Sequence, residues 1–143
     1  LEQRKNGRVT ITDERMTRFW ITLEQGVCFV IDCIDRMKGG EVFIPKIPSM
    51  KVIDLADTIA PKAKKEVIGI RPGEKIDEVL LTEEEARHAQ EFDSLFVIEP
   101  EHPFWHQGNL KEGKTLLDGF RFTSNSNNWW LTKEELEKMI EEL

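Results

Sequence analysis

The chain has 143 residues, 39% hydrophobic and 33% charged, with a formal net charge of −7. That length suits one domain over residues 1–143 with its own core, and the acidic balance offers no broad attraction for nucleic acid or an anionic membrane surface. No apolar run approaches the roughly 20 residues of a membrane helix, and no basic segment leads into an apolar stretch and cleavage site, so the expectation is a cytoplasmic protein.

The stretch "RVTITD" at 8–13 alternates and is rich in β-branched residues, which predicts a strand. From Thr22 the apolar positions Leu23, Val27, Val30, Ile31, Ile34 and Met37 recur at helical spacing. Thr22 and Gln25 are placed as a capping box and Gly39-Gly40 as a stop. The centre of that helix, "VCFVI", is apolar almost all round, so burial against more than one neighbour is expected. Cys28 and Cys33 lie about 140° apart on such a helix and form no local pair. With no CxxC and no HExxH, and with Pro103 between His102 and His106, the sequence offers no metal site.

"EVFIP" at 41–45 reads as a short strand closed by proline, "VIDLADTIA" at 52–60 as an amphipathic helix ended before Pro61, and "KEVIGI" at 65–70 as a third strand. Strand, helix, strand, helix, strand is an α/β rhythm compatible with parallel pairing. Thr82 and Glu85 begin a helix, "LFVIEP" at 95–100 is extended, and 101–114 has no period and reads as a loop. "GFRF" and the turn-rich "SNSNN" precede a last helix, opened by the capping pair Thr132 and Glu135.

The third strand delivers the chain to "GIRPGEKIDE", 69–78, and strand ends that run into such turns are where α/β proteins place ligand groups. Arg71 offers a planar fork suited to two phosphate oxygens, and Glu74 can accept from two adjacent ribose hydroxyls, so together they fit a nucleoside diphosphate. The alternative is a turn whose Arg and Glu pair with each other or with solvent. A second candidate is "DERMTRFWIT", 13–22, where Arg18 could bring another cation to the same diphosphate above Phe19 and Trp20, with Arg15 facing solvent.

The segments "ITDERMTRFWIT", "EVFIPKIPSMKVIDLA", "IGIRPGEKIDEVLLTEEEAR", "EFDSLFVIEP" and "GFRFTSNSNNWWLTKEEL" together resemble the C-terminal part of the inverting UDP-N-acetylglucosamine 4,6-dehydratases. These are extended short-chain dehydrogenase/reductase enzymes of flagellin-sugar and capsule biosynthesis. The resemblance runs from about Arg8 to the C-terminus. It implies an α/β fold that is the C-terminal, substrate-binding part of a Rossmann-like enzyme, with the N-terminal dinucleotide domain absent. It also implies a UDP site lined by Arg18, Arg71 and Glu74. The family often has "LHE" after the lysine of "RPGEK", where this chain has Ile76, Asp77 and Glu78.

The family binds NADP through an N-terminal Gly-rich strand-turn-helix and works with a Tyr and Lys pair helped by an Asp, all upstream of the portion that this chain resembles. This sequence has no tyrosine and no GxGxxG. The resemblance therefore implies a piece that is not catalytic alone and binds no cofactor by itself. Its implied partners are UDP-N-acetylglucosamine, the N-terminal Rossmann domain of the same enzyme and, in the complete protein, further copies in a homo-oligomer. A nucleotide-sugar epimerase fragment is the alternative within enzymes. A non-catalytic assembly module is the alternative outside them, with Phe104, Trp105, Trp129 and Trp130 at an interface, although core packing is the preferred reading of those aromatics.

Overall fold

A computed structural model of the chain describes residues 2–100 and 113–141. In chain order the elements begin with α1 (Glu2–Lys5), β1 (Arg8–Ile11), β2 (Thr17–Phe19), α2 (Leu23–Arg36), β3 (Val42–Pro45), β4 (Ser49–Lys51), α3 (Val52–Ile59) and β5 (Lys64–Val67). They continue with β6 (Val79–Leu81), α4 (Glu83–Ala86), β7 (Ala89–Glu91), β8 (Leu95–Ile98), β9 (Lys114–Thr115), β10 (Phe122–Thr123) and α5 (Lys133–Glu141). The packing divides into two compact units. One holds residues 1–20, 48–78 and 124–143, the other 21–47 and 79–123.

In the first unit β1 pairs parallel with β5, Arg8 opposite Lys64 and Ile11 opposite Val67. Alternation along β1 buries Ile11 and sends Arg8 and Thr10 outward, the period of two that the sequence carries. β2 and β4 form a separate antiparallel pair with Arg18 opposite Met50. Helix α3 lies against α5, and Ala56 and Leu136 are the buried residues of these two helices. The capping pair at Thr132 is present: Glu135 N–H donates to Thr132 Oγ1 and Thr132 N–H donates to Glu135 Oε2.

The second unit contains a four-stranded antiparallel sheet in the order β3-β8-β7-β9. Its central strand β8 buries Leu95, Phe96 and Val97 in succession, as expected for a strand covered on both faces. The Phe96 ring stands 5.5 Å from Phe120 and 5.1 Å from Phe122, while Lys46 Nζ lies 5.0 Å over it. β6 and β10 form a two-stranded antiparallel pair that carries the fully buried Leu81.

The α/β class and the elements beginning at Arg8, Thr22, Glu41, Val52, Lys65, Thr82, Leu95 and Thr132 are observed, but β1 ends at Ile11, β5 at Val67 and α4 at Ala86, each short of the expected end. Parallel pairing holds for β1 with β5, whereas the other strand pairs described are antiparallel. The short strands β2, β4, β6 and β7, at three residues each, span too little chain for a period-two signal and are made by their partners. Helix α2 differs most from expectation, because no residue in it is buried. Most of the loop expected at 101–114 lies outside the described residues.

Two outcomes follow from this packing. Leu81→Ala removes a fully buried side chain and should cost about 2–5 kcal/mol. Leu117→Ala, at a residue 83% exposed, should stay within about 0.5 kcal/mol, and urea denaturation of the two variants checks both. The second outcome concerns Glu85, whose carboxylate accepts from Thr82 N–H at 2.9 Å and Thr82 Oγ1 at 2.7 Å. The backbone bond first and the hydroxyl second hold it below the usual glutamate value. A lowered folded value means that the contribution is complete above the unfolded value of about 4.3 and is lost as pH falls through the folded one. Glu85→Gln keeps the cap without the titration, so melting curves of parent and variant should run parallel near neutrality. Toward pH 3 the parent should lose stability relative to the variant.

Candidate functional site

Beyond β5 the chain continues through Ile68, whose N–H donates to Ile11 O at 2.8 Å, and Gly69, with φ of +85°, to Arg71. Residues 71–74 form a tight turn closed by Glu74 N–H donating to Arg71 O at 3.0 Å. Pro72 occupies its first central position, and Gly73, at φ +85°, its second, the residues and sign that a type II turn requires. A Cβ at Gly73 would meet nothing within 4 Å, so the need for glycine is conformational and not steric. The carboxylate of Glu74 folds back and accepts Arg71 N–H on Oε2 at 2.9 Å. Its Oε1 makes no hydrogen bond among the described residues. The exposed Arg71 side chain likewise has no hydrogen bond or ion pair among them.

Arg18 is in a different situation. From β2 its Nη1 donates to Thr17 O at 2.6 Å and Ile76 O at 2.9 Å, and its Nη2 to Lys75 O at 2.9 Å and Met16 Sδ at 3.6 Å. Nε faces Glu78 Oε1 at 3.4 Å. All five N–H donors of the guanidinium are therefore directed at protein groups. Of the three residues expected to meet a ligand, the structure leaves Arg71 and one oxygen of Glu74 open and ties Arg18 to the backbone that follows their turn.

A polar network holds the same backbone from its other side. Thr17 N–H donates to Ile76 O at 3.0 Å, and Ser124 N–H donates to Glu78 O at 2.9 Å. Glu78 N–H donates in turn to Ser124 Oγ at 2.9 Å. Asp77 accepts from the Thr17 hydroxyl on Oδ1 at 2.8 Å and from Asn125 Nδ2 on Oδ2 at 2.9 Å. Since Thr17 gives its one hydroxyl proton to a carboxylate, the 2.6 Å contact between Thr17 Oγ1 and Ser124 Oγ has Ser124 as donor. Thr17 and Ser124 are buried, so each hydroxyl needs these partners. Sequence reasoning missed Thr17, Asp77 and Ser124, and no local signal marks them, because the contacts bridge 60 and 107 residues of chain.

Arg15 is exposed, as expected, and grips Asp13 with Nε at 2.9 Å and Nη2 at 2.8 Å. The Arg15 side-chain bond, followed by its backbone bond, holds the Asp13 carboxyl at about 2. Phe19 and Trp20 are half-buried. Trp130 donates from Nε1 to Asn127 O at 2.7 Å, while Trp129 is 52% exposed. Phe104, Trp105, His102 and His106 lie outside the described residues. A cavity of about 210 Å³ between β1 and α3 is lined by apolar side chains with Gln3 and Thr10, and by none of Arg18, Arg71 and Glu74.

A Campylobacter jejuni protein named UDP-N-acetylglucosamine 4,6-dehydratase (inverting) is 43% identical over 137 residues, 91% of this chain and 41% of its own length. A Methanocaldococcus jannaschii protein named as an uncharacterized membrane protein is 33% identical over 98% of this chain and 42% of its own length. No helix among the described residues of this chain is long and apolar enough to cross a membrane. In the X-ray structure of Pen from Bacillus thuringiensis, a chain 33% identical superposes with a TM-score of 0.81 over 99% of this chain and 43% of that one. The chain thus spans about two fifths of the length of the relatives it matches, and the resemblance carried by its five segments is borne out. Residues 2–100 match a family model described as polysaccharide biosynthesis protein, and the chain belongs to that family.

Proposed function

We propose that the chain is the UDP-sugar-binding portion of a UDP-N-acetylglucosamine 4,6-dehydratase that makes sugars for surface polysaccharide or flagellin. The observation that carries this reading is the Arg71 guanidinium, left without a partner among the described residues on a turn whose flanking backbone is fixed by Arg18, Thr17 and Ser124. A free fork beside a rigid turn is suited to two diphosphate oxygens. Glu74 Oε1 accepts from one ribose hydroxyl, and the second lone pair of Oε2 is left for its neighbour. Arg18 supports the site by positioning residues 75–78, and it meets the diphosphate directly only by giving up a carbonyl.

In the complete enzyme a bound NADP would supply the hydride-transfer chemistry. Among the described residues, the junction at which a strand enters the first unit's eight-residue helix does not fit the pyrophosphate of that cofactor. Where β4 runs directly into α3, the junction is Lys51, with no glycine to admit a pyrophosphate and no side-chain cap. The reading therefore assigns NADP and the reacting groups to the part of the enzyme that this chain does not span. The work left to residues 69–78 is to anchor the nucleotide so that the sugar reaches those groups in one orientation.

In the complete enzyme Arg71→Ala should weaken UDP binding about 10- to 100-fold, the loss expected for one charge-assisted contact. Arg71→Lys should recover only part, because a point charge cannot reproduce the fork. Glu74→Gln should weaken UDP more than its 2′,3′-dideoxy analogue. Arg18→Ala should lower both UDP affinity and melting temperature, whereas Arg71→Ala should leave melting unchanged. Isothermal titration beside thermal melts separates these cases. Parent-like UDP binding in the Arg71 and Glu74 variants would make the turn purely structural and defeat the proposal.

A further inference from the structure

Helix α2 presents its apolar side away from the side on which the chain covers it. At 100° per residue, Leu23, Val27, Val30, Ile31, Ile34 and Met37 fall within an arc of about 120°. Leu23 is 87% exposed, and the other five lie between 50% and 61%. The three residues of α2 that are half-buried, Gly26, Phe29 and Cys33, sit beside that stripe and not within it. A helix that met only water on its outer face would carry charge there. In α2 the acidic residues Glu24, Asp32 and Asp35 lie along one flank and the back instead. With β-branched residues at 27, 30, 31 and 34, a helix of 14 residues is marginal without packing on its apolar face.

The comparisons indicate what could cover it. The fold of this chain is reproduced almost entirely within a solved chain of which it occupies 43%, and the Campylobacter relative is matched over 41% of its length. More than half of each of those proteins therefore lies outside the matched region. Strand β3, which follows α2 directly, is the edge of its sheet and pairs on one side only among the described residues. An uncovered apolar helix followed in the chain by a strand at an open sheet edge is what remains when a layered α/β unit is seen without its neighbouring layer.

We infer that the outward stripe of α2 is an intramolecular docking surface, covered in the complete polypeptide by an apolar face of the portion that this chain does not span. The inference rests on family membership and not on the nucleotide reading, so it stands or falls separately from UDP binding.

Cysteine accessibility tests it. In a Cys28→Ser, Cys33→Ser background, Ile34→Cys places a thiol on the stripe and Asp32→Cys places one on the polar side. In the 143-residue chain at low concentration both should react alike with a maleimide. In the complete polypeptide Ile34→Cys should slow by about ten-fold or more while Asp32→Cys keeps its rate. Equal rates at both positions in the complete polypeptide would overturn the inference. Protection that disappears on dilution would overturn it too, by assigning the face to a second copy, and so would a gene that encodes no more than these residues. Val27→Glu with Ile34→Glu adds an independent reading. It should abolish binding of a hydrophobic dye to the chain without lowering its melting temperature, and a fall in melting temperature would place the stripe in the chain's own core.

Discussion

The guanidinium of Arg18 is the interaction on which the arrangement around Arg71 depends. Standing on β2, it gathers the carbonyls of Thr17, Lys75 and Ile76, and so joins a three-residue strand to a segment 58 positions further along the chain. Neither piece has enough regular hydrogen bonding of its own to fix its place. Charge-assisted bonds to carbonyls are stronger than neutral ones, and at 30% exposure of the Arg18 side chain they are only partly screened by water. The contact with Glu78 at 3.4 Å is longer and more exposed, so the carbonyls, and not the ion pair, carry the attachment.

Two arginines expected to do the same work therefore divide it. Arg18 has its donors filled and sets a backbone. Arg71, four residues before Lys75, is held where no protein group among those described meets its fork. The same backbone gives Asp77 its role. The position faces two donors, the Thr17 hydroxyl and the Asn125 amide. An ionised carboxylate accepts both at once, while a neutral imidazole offers a single acceptor. Ser124 completes the set by donating to Thr17 and accepting from Glu78 N–H, which leaves both buried hydroxyls satisfied.

The second unit poses a different physical problem. Its four-stranded sheet has a well-packed centre in Leu95, Phe96 and Val97, yet α2 and its C-cap Met37 leave six large apolar side chains at least half exposed. The helix forms because Thr22 and Gln25 satisfy its first N–H groups reciprocally and Met37 N–H closes its last turn on Cys33 O. Caps define where a helix begins and ends, but they do not decide which neighbour its stripe meets. The docking proposed for that stripe rests on the partial match to longer relatives and on the open edge of β3.

The sequence by itself determined the elements whose signals are local. The alternation in "RVTI", the stripe and caps of α2, the Thr82 and Thr132 capping pairs and the Pro-Gly turn before Glu74 each need only a few neighbouring residues to be legible. It also made Arg71 and Glu74 candidates, because a strand running into "RPGE" predicts both the turn and its exposure. Pairing was decided by the tertiary structure alone. Three-residue strands such as β2 and β4 acquire their conformation from one another, and the roles of Thr17, Arg18, Asp77 and Ser124 come from hydrogen bonds spanning 46 to 107 residues. Periodicity reports which face of a segment is apolar, and it carries no information about which distant donor will find which acceptor. That choice belongs to the folded chain, where burying a polar group is tolerable only beside its partner.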